Sequence, residues 1–177
     1  GQSYAKAGQP GTAIDRFKQL VGDRRSASFE FLPDAYLALA NCLIILDKHE
    51  EALEPLETML GKYKEDRVQA QGCFLMGKAR FNLKKYDDAL LSFQEVTKRT
   101  KTEIGAEAQF YIGQISQAKN DFKSAIVGYL RVIALYREHR EWVAAAMYES
   151  AKCHEVLGDK DQAAKTYGEL INSYSET

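Results

Sequence analysis

The chain has 177 residues, of which 45% are hydrophobic and 28% are charged. These values indicate an ordinary folded domain and exclude an intrinsically disordered chain, which would be more polar and less aromatic. The formal net charge of −1 disfavours a non-specific nucleic-acid binder, because such proteins are usually strongly basic. The longest apolar runs are too short to span a bilayer, so we expect no direct membrane insertion.

An internal repeat runs through the sequence. Each copy has an Ala, then an aromatic residue or Leu four positions later, then an apolar residue three positions further on, and a small residue twelve positions before the Ala. Successive Ala residues are 39, 37, 36 and 38 positions apart. The five copies are Gly1 with Ala13, Phe17 and Leu20; Ala40 with Ala52, Leu56 and Met59; Gly77 with Ala89, Phe93 and Val96; Gly113 with Ala125, Tyr129 and Val132; and Ala151 with Ala163, Tyr167 and Leu170.

These spacings predict pairs of helices. Steps of three and four residues place the apolar side chains on one helix face. Short polar segments with Gly, Asn or Asp follow each small residue and predict a tight turn between a helix A and a helix B. We therefore expect the end of a helix A at 1–8 and its helix B at 10–22, followed by helix pairs at 33–47 and 48–63, 67–84 and 86–99, 104–119 and 122–137, and 141–157 and 160–174.

Pro55 falls inside the predicted helix 48–63. It should either kink this helix or delay its start to about Glu51, because proline has no N–H to donate and clashes with the preceding turn. Two acidic pairs, Glu50-Glu51 and Asp87-Asp88, are expected to begin helix B copies. There the positive end of the helix dipole stabilises a negative charge.

The third copy resembles the tetratricopeptide-repeat family most closely. It reads Gly77-Lys78-Ala79-Arg80-Phe81, then Tyr86-Asp87-Asp88-Ala89-Leu90, then Phe93. The resemblance implies an all-α fold, a right-handed superhelical solenoid of antiparallel helix pairs. It also implies a single domain over 1–177, with a partial repeat at 1–22 and repeats at about 33–63, 67–99, 104–137 and 141–174. Because Gly1 lies in the middle of a repeat, we expect a fragment of a longer protein.

The repeats are longer than the 34 residues usual for the family, and no Pro marks their ends. Tyr63, Tyr136 and Tyr174 stand near those ends instead. This style is similar to a longer-period bacterial variety, found in outer-membrane assembly and Tol–Pal-associated proteins of the family. The resemblance therefore favours the bacterial cell envelope or periplasm as the location.

The family resemblance implies a scaffold that binds a peptide or a partner protein in a concave groove lined by helix A. The residues at matching positions are Leu37, Asn41, Phe74, Lys78, Phe81, Asn82, Phe110, Gln114, Tyr148 and Lys152. Aromatic residues at helical spacing equally suit a packed core, and single amides and charges equally suit solvated surface. We expect loss of Phe74 or Phe81 to harm binding more than folding.

Chaperone-cofactor members of the family hold a C-terminal carboxylate with a basic clamp. The matching positions here are Leu37, Asn41, Leu75, Glu107 and Tyr111. The Asn alone fits that clamp, and Glu107 would repel a carboxylate. A chaperone tail is therefore disfavoured as the partner.

No catalytic chemistry or cofactor is predicted. The sequence has no Gly-rich phosphate loop, HExxH or GxSxG motif. Cys42, Cys73 and Cys153 form no CxxC pair and are expected to be buried. Cys153, His154 and Glu155 are adjacent on a helix and point in different directions, so they form no metal site.

Three basic clusters lie in or beside the turns between repeats. They are Arg24-Arg25, Lys98-Arg99 with Lys101, and Arg137-His139-Arg140. Such clusters are usually solvated turn surface, and no nucleic-acid partner is expected.

A structural role is the alternative to the binding scaffold. The chain could be a segment of a longer solenoid, or it could self-associate as a homo-oligomer. The last helix B leaves Tyr167, Leu170, Ile171 and Tyr174 without a following repeat, and terminal repeats normally need a polar outer face.

Overall fold

The computed structural model describes residues 10–23 and 29–174, and these residues form nine α-helices and no β-strand. In chain order the helices are α1 Pro10–Gly22, α2 Leu32–Ile45, α3 Leu53–Lys62, α4 Asp66–Asn82, α5 Tyr86–Arg99, α6 Glu103–Ala118, α7 Phe122–Leu135, α8 Arg140–Val156 and α9 Lys160–Tyr174. Eight of them lie within two residues of the predicted bounds. The expected helix at 1–8 and the basic pair Arg24-Arg25 lie outside the described residues.

Helix α3 is the exception, because it begins at Leu53 and not at residue 48. Pro55 is its third residue, within the first turn, where a missing N–H removes no intrahelical hydrogen bond. Pro55 therefore delays the helix rather than kinking it. The expectation that Glu50-Glu51 begin a helix is wrong, since both precede α3 in the turn. Glu50 instead accepts from Lys85 at 3.2 Å.

Each described turn from helix A to helix B is closed by one residue with a positive φ angle. This residue is Asp47, Lys84, Asn120 or Gly158, with φ between 56° and 81°. In the third of these turns the Asn120 N–H donates to Gln117 O and the Asp121 N–H donates to Ser116 O, both at 2.9 Å. The other three turns repeat this pair of bonds, which is the Schellman motif that satisfies the last carbonyls of a helix.

Most of the repeated residues described by the structure lie in the core. Ala52, Ala89 and Ala125 are fully buried, and so are the aromatic residues Phe93 and Tyr129 that follow two of them. The small residue on helix A makes room for that aromatic ring. A Cβ built at Gly77 would lie 2.7 Å from the Phe93 ring, and one at Gly113 would lie 2.6 Å from the Tyr129 ring.

The helices pack as two compact units, residues 1–95 and residues 96–177. In unit 1, α2 contacts α1, α3 and α4, and α3 contacts α4. In unit 2, α6, α7 and α8 each contact the next helix along the chain, and α6 also contacts α8. Both units therefore place the A helices of successive repeats side by side. The single domain over 1–177 stays a prediction.

Candidate functional site

Each of α2, α4, α6 and α8, the A helices, keeps one row of side chains outside the core. The members of a row are three or four residues apart, so they lie on one helix face, and all are exposed or half-buried. The rows are Asp34, Ala38, Asn41 and Ile45 on α2; Arg67, Gln71, Leu75, Lys78 and Asn82 on α4; Glu103, Glu107, Tyr111, Gln114 and Ala118 on α6; and Glu141, Ala145, Tyr148, Lys152 and Glu155 on α8. These A-helix rows are the candidate binding surface of each unit.

Three of the residues predicted to contact a partner are in the core. Leu37 is 9% exposed, and Phe74 and Phe110 are each 8% exposed. Phe74 packs edge-on against Phe93 with ring centroids 6.1 Å apart. Phe110 packs against Tyr129 at 5.3 Å. Burial gives these side chains a packing role and leaves a partner little of their surface.

The other predicted residues remain accessible. Asn41 and Asn82 are exposed, Phe81 lies half-buried against the Tyr86 ring at 5.7 Å, and Lys78 holds its ammonium 5.3 Å from the Phe74 ring centroid. These side chains offer amide and ammonium donors beside an aromatic edge. Contact between them and a partner stays a prediction.

An ion pair joins the two rows of unit 1. Arg67 Nη1 donates to Asp34 Oδ1 at 3.0 Å and to Gln71 Oε1 at 3.1 Å. The pair fixes Arg67 across α2 and α4, although an exposed pair of this kind contributes little to stability. Unit 1 therefore presents a row surface of mixed charge.

In unit 2, Tyr148 breaks the pattern of buried residues at its repeat position. Its side chain is 48% exposed, while Phe110 at the matching position of α6 is buried. The Tyr148 ring lies 6.0 Å from the Tyr167 ring, and the Lys152 ammonium lies 5.3 Å from the Tyr148 centroid. An exposed ring beside a cation can bind a partner by stacking or by a cation–π contact.

Gln114, the remaining predicted residue, is half-buried in the α6 row. Its amide can donate and accept hydrogen bonds. Its helix, α6, packs beside α8, which carries Tyr148.

The sequence analysis missed Glu149, which organises this part of α8. Its carboxylate accepts from Lys152 Nζ at 2.9 Å and from Gln117 Nε2 at 3.2 Å. Gln117 in turn accepts a hydrogen bond from the hydroxyl of the buried Tyr129. The hydrogen bond that Lys152 donates to Glu149 raises the pKa of Lys152, and burial raises the pKa of Tyr129. The spacing of three between Glu149 and Lys152 was the available signal for this pair.

Two of the three cysteines are explained by packing. Burial raises the pKa of Cys153 to about 11, so its thiol is protonated and unreactive near neutral pH. Cys42 is also buried, whereas Cys73 is half-buried rather than buried as expected. Within the described residues, no three His, Cys, Asp or Glu side chains are placed to hold a metal ion. In the same part of the chain, no helix is both long and apolar enough to cross a membrane.

Comparison with known families decides the identity of the repeat. A family model described as tetratricopeptide repeat matches residues 1–67 and 74–140, and a second model with that description matches residues 145–177. The chain belongs to the tetratricopeptide-repeat family. Its fold class is the all-α TPR solenoid of antiparallel helix pairs, as predicted from the sequence.

Solved TPR structures are similar over nearly the whole chain. A crystal structure of MamA has a TM-score of 0.81 and 16% identity, covering 98% of this chain and 94% of that one. A MamA fragment from Desulfovibrio magneticus RS-1 has a TM-score of 0.74 and 15% identity, covering 97% and 89%. YrrB, described as a TPR protein with an unusual peptide-binding site, has a TM-score of 0.70 and 15% identity, covering 98% and 82%. No curated protein sequence matches the chain.

These likenesses show the TPR fold, and membership in the tetratricopeptide-repeat family supports a general role as a protein-interaction scaffold. The A-helix rows differ in chemistry from one repeat to the next. They carry amides, tyrosines and charges that the core does not use, and these side chains are the basis for a functional proposal.

Proposed function

We propose that the chain is a non-catalytic scaffold that binds a peptide or a partner protein along its A-helix rows. The observation that carries the proposal is that Asn41 and Tyr148 are exposed, and Lys78 and Lys152 half-buried, on helices whose opposite faces are buried. A TPR helix needs no tyrosine or lysine there for packing. Polar side chains around an accessible aromatic ring form the usual composition of a protein-recognition surface.

The test is a selection of peptides from a random phage-displayed library against the purified chain. Selected peptides are then measured by calorimetry against Asn41→Ala with Lys78→Ala in unit 1, and against Tyr148→Ala in unit 2. We expect at least one of these variants to weaken binding about tenfold, while helicity and melting temperature stay within error. Glu57→Ala and Lys123→Ala, two exposed positions on B helices, are the matched controls.

The scaffold proposal fails if the controls weaken binding as much as the row variants do. It also fails if every row variant that loses binding loses helicity to the same extent.

A second candidate function is structural, as a segment of a longer solenoid or as a self-associating oligomer. On α7, Ile133 packs against the core cluster formed with α8. Ile171 occupies the matching position on α9, and it is 64% exposed. An additional repeat or a second copy of the chain would cover this side chain and lower the free energy by burying its apolar surface. Sedimentation of the wild type and of Ile171→Glu over a range of concentrations tests self-association. A wild-type chain that stays monomeric at every concentration would exclude it.

We place the protein in the bacterial cell envelope as part of this proposal. The support is the resemblance of its long repeats, with Tyr63 and Tyr136 near repeat ends, to outer-membrane assembly and Tol–Pal-associated TPR proteins. Immunodetection in cytoplasmic and envelope fractions of the source cells tests the location. Recovery in the cytoplasmic fraction alone would contradict it.

A further inference from the structure

Two basic clusters that are far apart in the sequence meet in unit 2. Lys101 follows α5, and His139 precedes α8, yet His139 Nε2 lies 3.2 Å from the Lys101 carbonyl oxygen. The Lys101 ammonium lies 5.1 Å from the centroid of the Tyr136 ring. The turn after α5 and the turn after α7 therefore form one basic region.

A cavity of about 280 Å³ opens in this region. Lys101, Tyr136, Arg137, Glu138 and His139 line it, together with the last two residues of α7. This volume exceeds what a phosphate group alone would need, and it is close to the lower end of the range for small-molecule sites.

The two strong cations at the cavity have no neutralising carboxylate partner among the described residues. Lys101 Nζ donates to the carbonyl oxygen of Thr97 at 3.4 Å and contacts the Tyr136 ring, and both of these partners are uncharged. Within the described part of the chain, neither Lys101 nor Arg137 forms an ion pair with a carboxylate. Glu138 is the one carboxylate in the lining, so positive charge prevails there.

Tyr136 forms a wall of the cavity. Its side chain is 2% exposed, and its hydroxyl is buried away from solvent, so the hydroxyl does not face the open cavity. The role of Tyr136 is to support the Lys101 ammonium, which lies 5.1 Å from the ring centroid.

The backbone holds the turn around Lys101 in place. Gly105 packs so closely that a Cβ would lie 2.6 Å from the Thr100 carbonyl oxygen and 3.1 Å from the Tyr136 ring. The Thr102 N–H donates to Thr100 Oγ1 at 3.1 Å, which closes the turn that carries Lys101. Lys101 is thus positioned before any ligand arrives, which reduces the entropy lost on binding.

We propose that this cavity binds a phosphate group, either as a free anion or as the phosphorylated side chain of a partner protein. The Lys101 ammonium supplies a compact charge, and the Arg137 guanidinium supplies a planar pair of N–H donors that fits phosphate oxygens. This site lies outside the A-helix rows, so it does not depend on the proposed scaffold function.

The experiment uses isothermal titration calorimetry of the whole chain at fixed ionic strength. The probes are inorganic phosphate, a phosphoserine peptide and the same peptide without phosphate. We expect saturable binding of a phosphate-bearing probe with a dissociation constant on the order of 1 mM or tighter, and none of the unmodified peptide. A phosphopeptide that binds about tenfold more tightly than inorganic phosphate assigns the site to a modified partner, and equal affinities assign it to the free anion.

Paired variants separate this site from general charge attraction. Lys101→Gln with Arg137→Gln should weaken binding at least about tenfold, since both cations are removed. Lys123→Gln with Arg131→Gln removes the same charges from exposed positions on α7 outside the cavity, and should leave the affinity unchanged. The proposal is overturned if no probe saturates or if both pairs weaken binding equally. It is also overturned if a random oligonucleotide binds through the cavity pair more tightly than every other probe.

Discussion

Unit 1 and unit 2 are built from the same helix pairs, but their A-helix rows differ in charge. The rows of unit 1 carry Asp34, Arg67 and Lys78, and the first two of these already pair at 3.0 Å. The rows of unit 2 carry one lysine and four carboxylates, namely Lys152 with Glu103, Glu107, Glu141 and Glu155. Under the scaffold proposal, unit 2 should favour a basic partner segment and unit 1 a partner of mixed charge.

This difference shows at which positions the repeat constrains the type of side chain. Core positions keep a small, apolar or aromatic side chain in both units, because interiors are close-packed and exclude unpaired polar groups. Row positions face outward, so their chemistry can change without loss of the fold. Tyr148 marks the boundary between the two cases, since it occupies a position that is buried in the three preceding repeats.

The largest predicted effect tests this boundary. Phe74→Ala in unit 1 and Phe110→Ala in unit 2 should each lower the free energy of unfolding by about 3–5 kcal/mol, because each leaves a cavity in the core. Tyr148→Ala should lower it by less than about 1 kcal/mol, since its ring is half exposed. Urea unfolding followed by circular dichroism measures all three. An equal loss for Tyr148→Ala and Phe110→Ala would mean that unit 2, like unit 1, uses the position for packing alone.

The burial of Phe74 also changes an expectation from the sequence. Loss of Phe74 was expected to harm binding more than folding, and its packing on Phe93 now predicts the reverse. Phe81, which is half-buried against Tyr86, remains suited to the original test.

Most of the fold could be predicted from the sequence, because the repeat places core residues at fixed spacings. Ala89, Phe93 and Val96 are all fully buried, as the three-part pattern predicted. The start of α3 was harder to predict, because Pro55 allows either a kink or a later start and the sequence alone favours neither.

The candidate site was less predictable than the core. Periodicity shows that Phe110 and Tyr148 share a repeat position, but exposure depends on what packs over each ring. The ring of Trp142, on the next helix A, packs against Phe110 with centroids 5.5 Å apart. The Tyr148 ring packs against Tyr167 on one side. The cavity at Lys101 and His139 joins residues 38 positions apart, so neither basic cluster alone indicated it.

A smaller effect compares the glycines of the two units. Gly77→Ala in unit 1 and Gly113→Ala in unit 2 should each cost about 1–3 kcal/mol, because the new Cβ would press against the Phe93 or Tyr129 ring. Gly168→Ala on α9 should instead stabilise the chain by about 0.5–1 kcal/mol, since its Cβ would meet nothing within 4 Å and alanine favours a helix. Thermal unfolding of the three variants gives the signs. A destabilising Gly168→Ala would show that α9 is covered by another molecule in solution.

The smallest predicted effect concerns one acidic group in each unit. Its pKa is lowered in both units, but the cause differs. In unit 1, hydrogen bonding to Lys48, with a further contribution from Lys18, lowers the pKa of Glu51. In unit 2, hydrogen bonds from Ser124 lower the pKa of Asp121, which caps α7 by accepting from the Ser124 N–H at 3.1 Å. A carboxyl whose pKa is lower in the folded state stabilises the fold above its unfolded pKa. That contribution is lost as the pH falls through the folded pKa.

The two causes respond differently to salt, which makes this prediction specific. Salt at about 1 M shortens the Debye length to roughly 3 Å and screens an exposed ion pair, but it does not remove a hydrogen bond from a backbone amide. High salt should therefore raise the pKa of Glu51 toward its ordinary value and leave that of Asp121 nearly unchanged. NMR titrations at low and high salt measure both pKa values. Glu51→Gln should accordingly remove more of the acid sensitivity at low salt than at high salt, whereas Asp121→Asn should act alike in both. Equal shifts for the two carboxyls would mean that charge, and not the helix cap, controls Asp121.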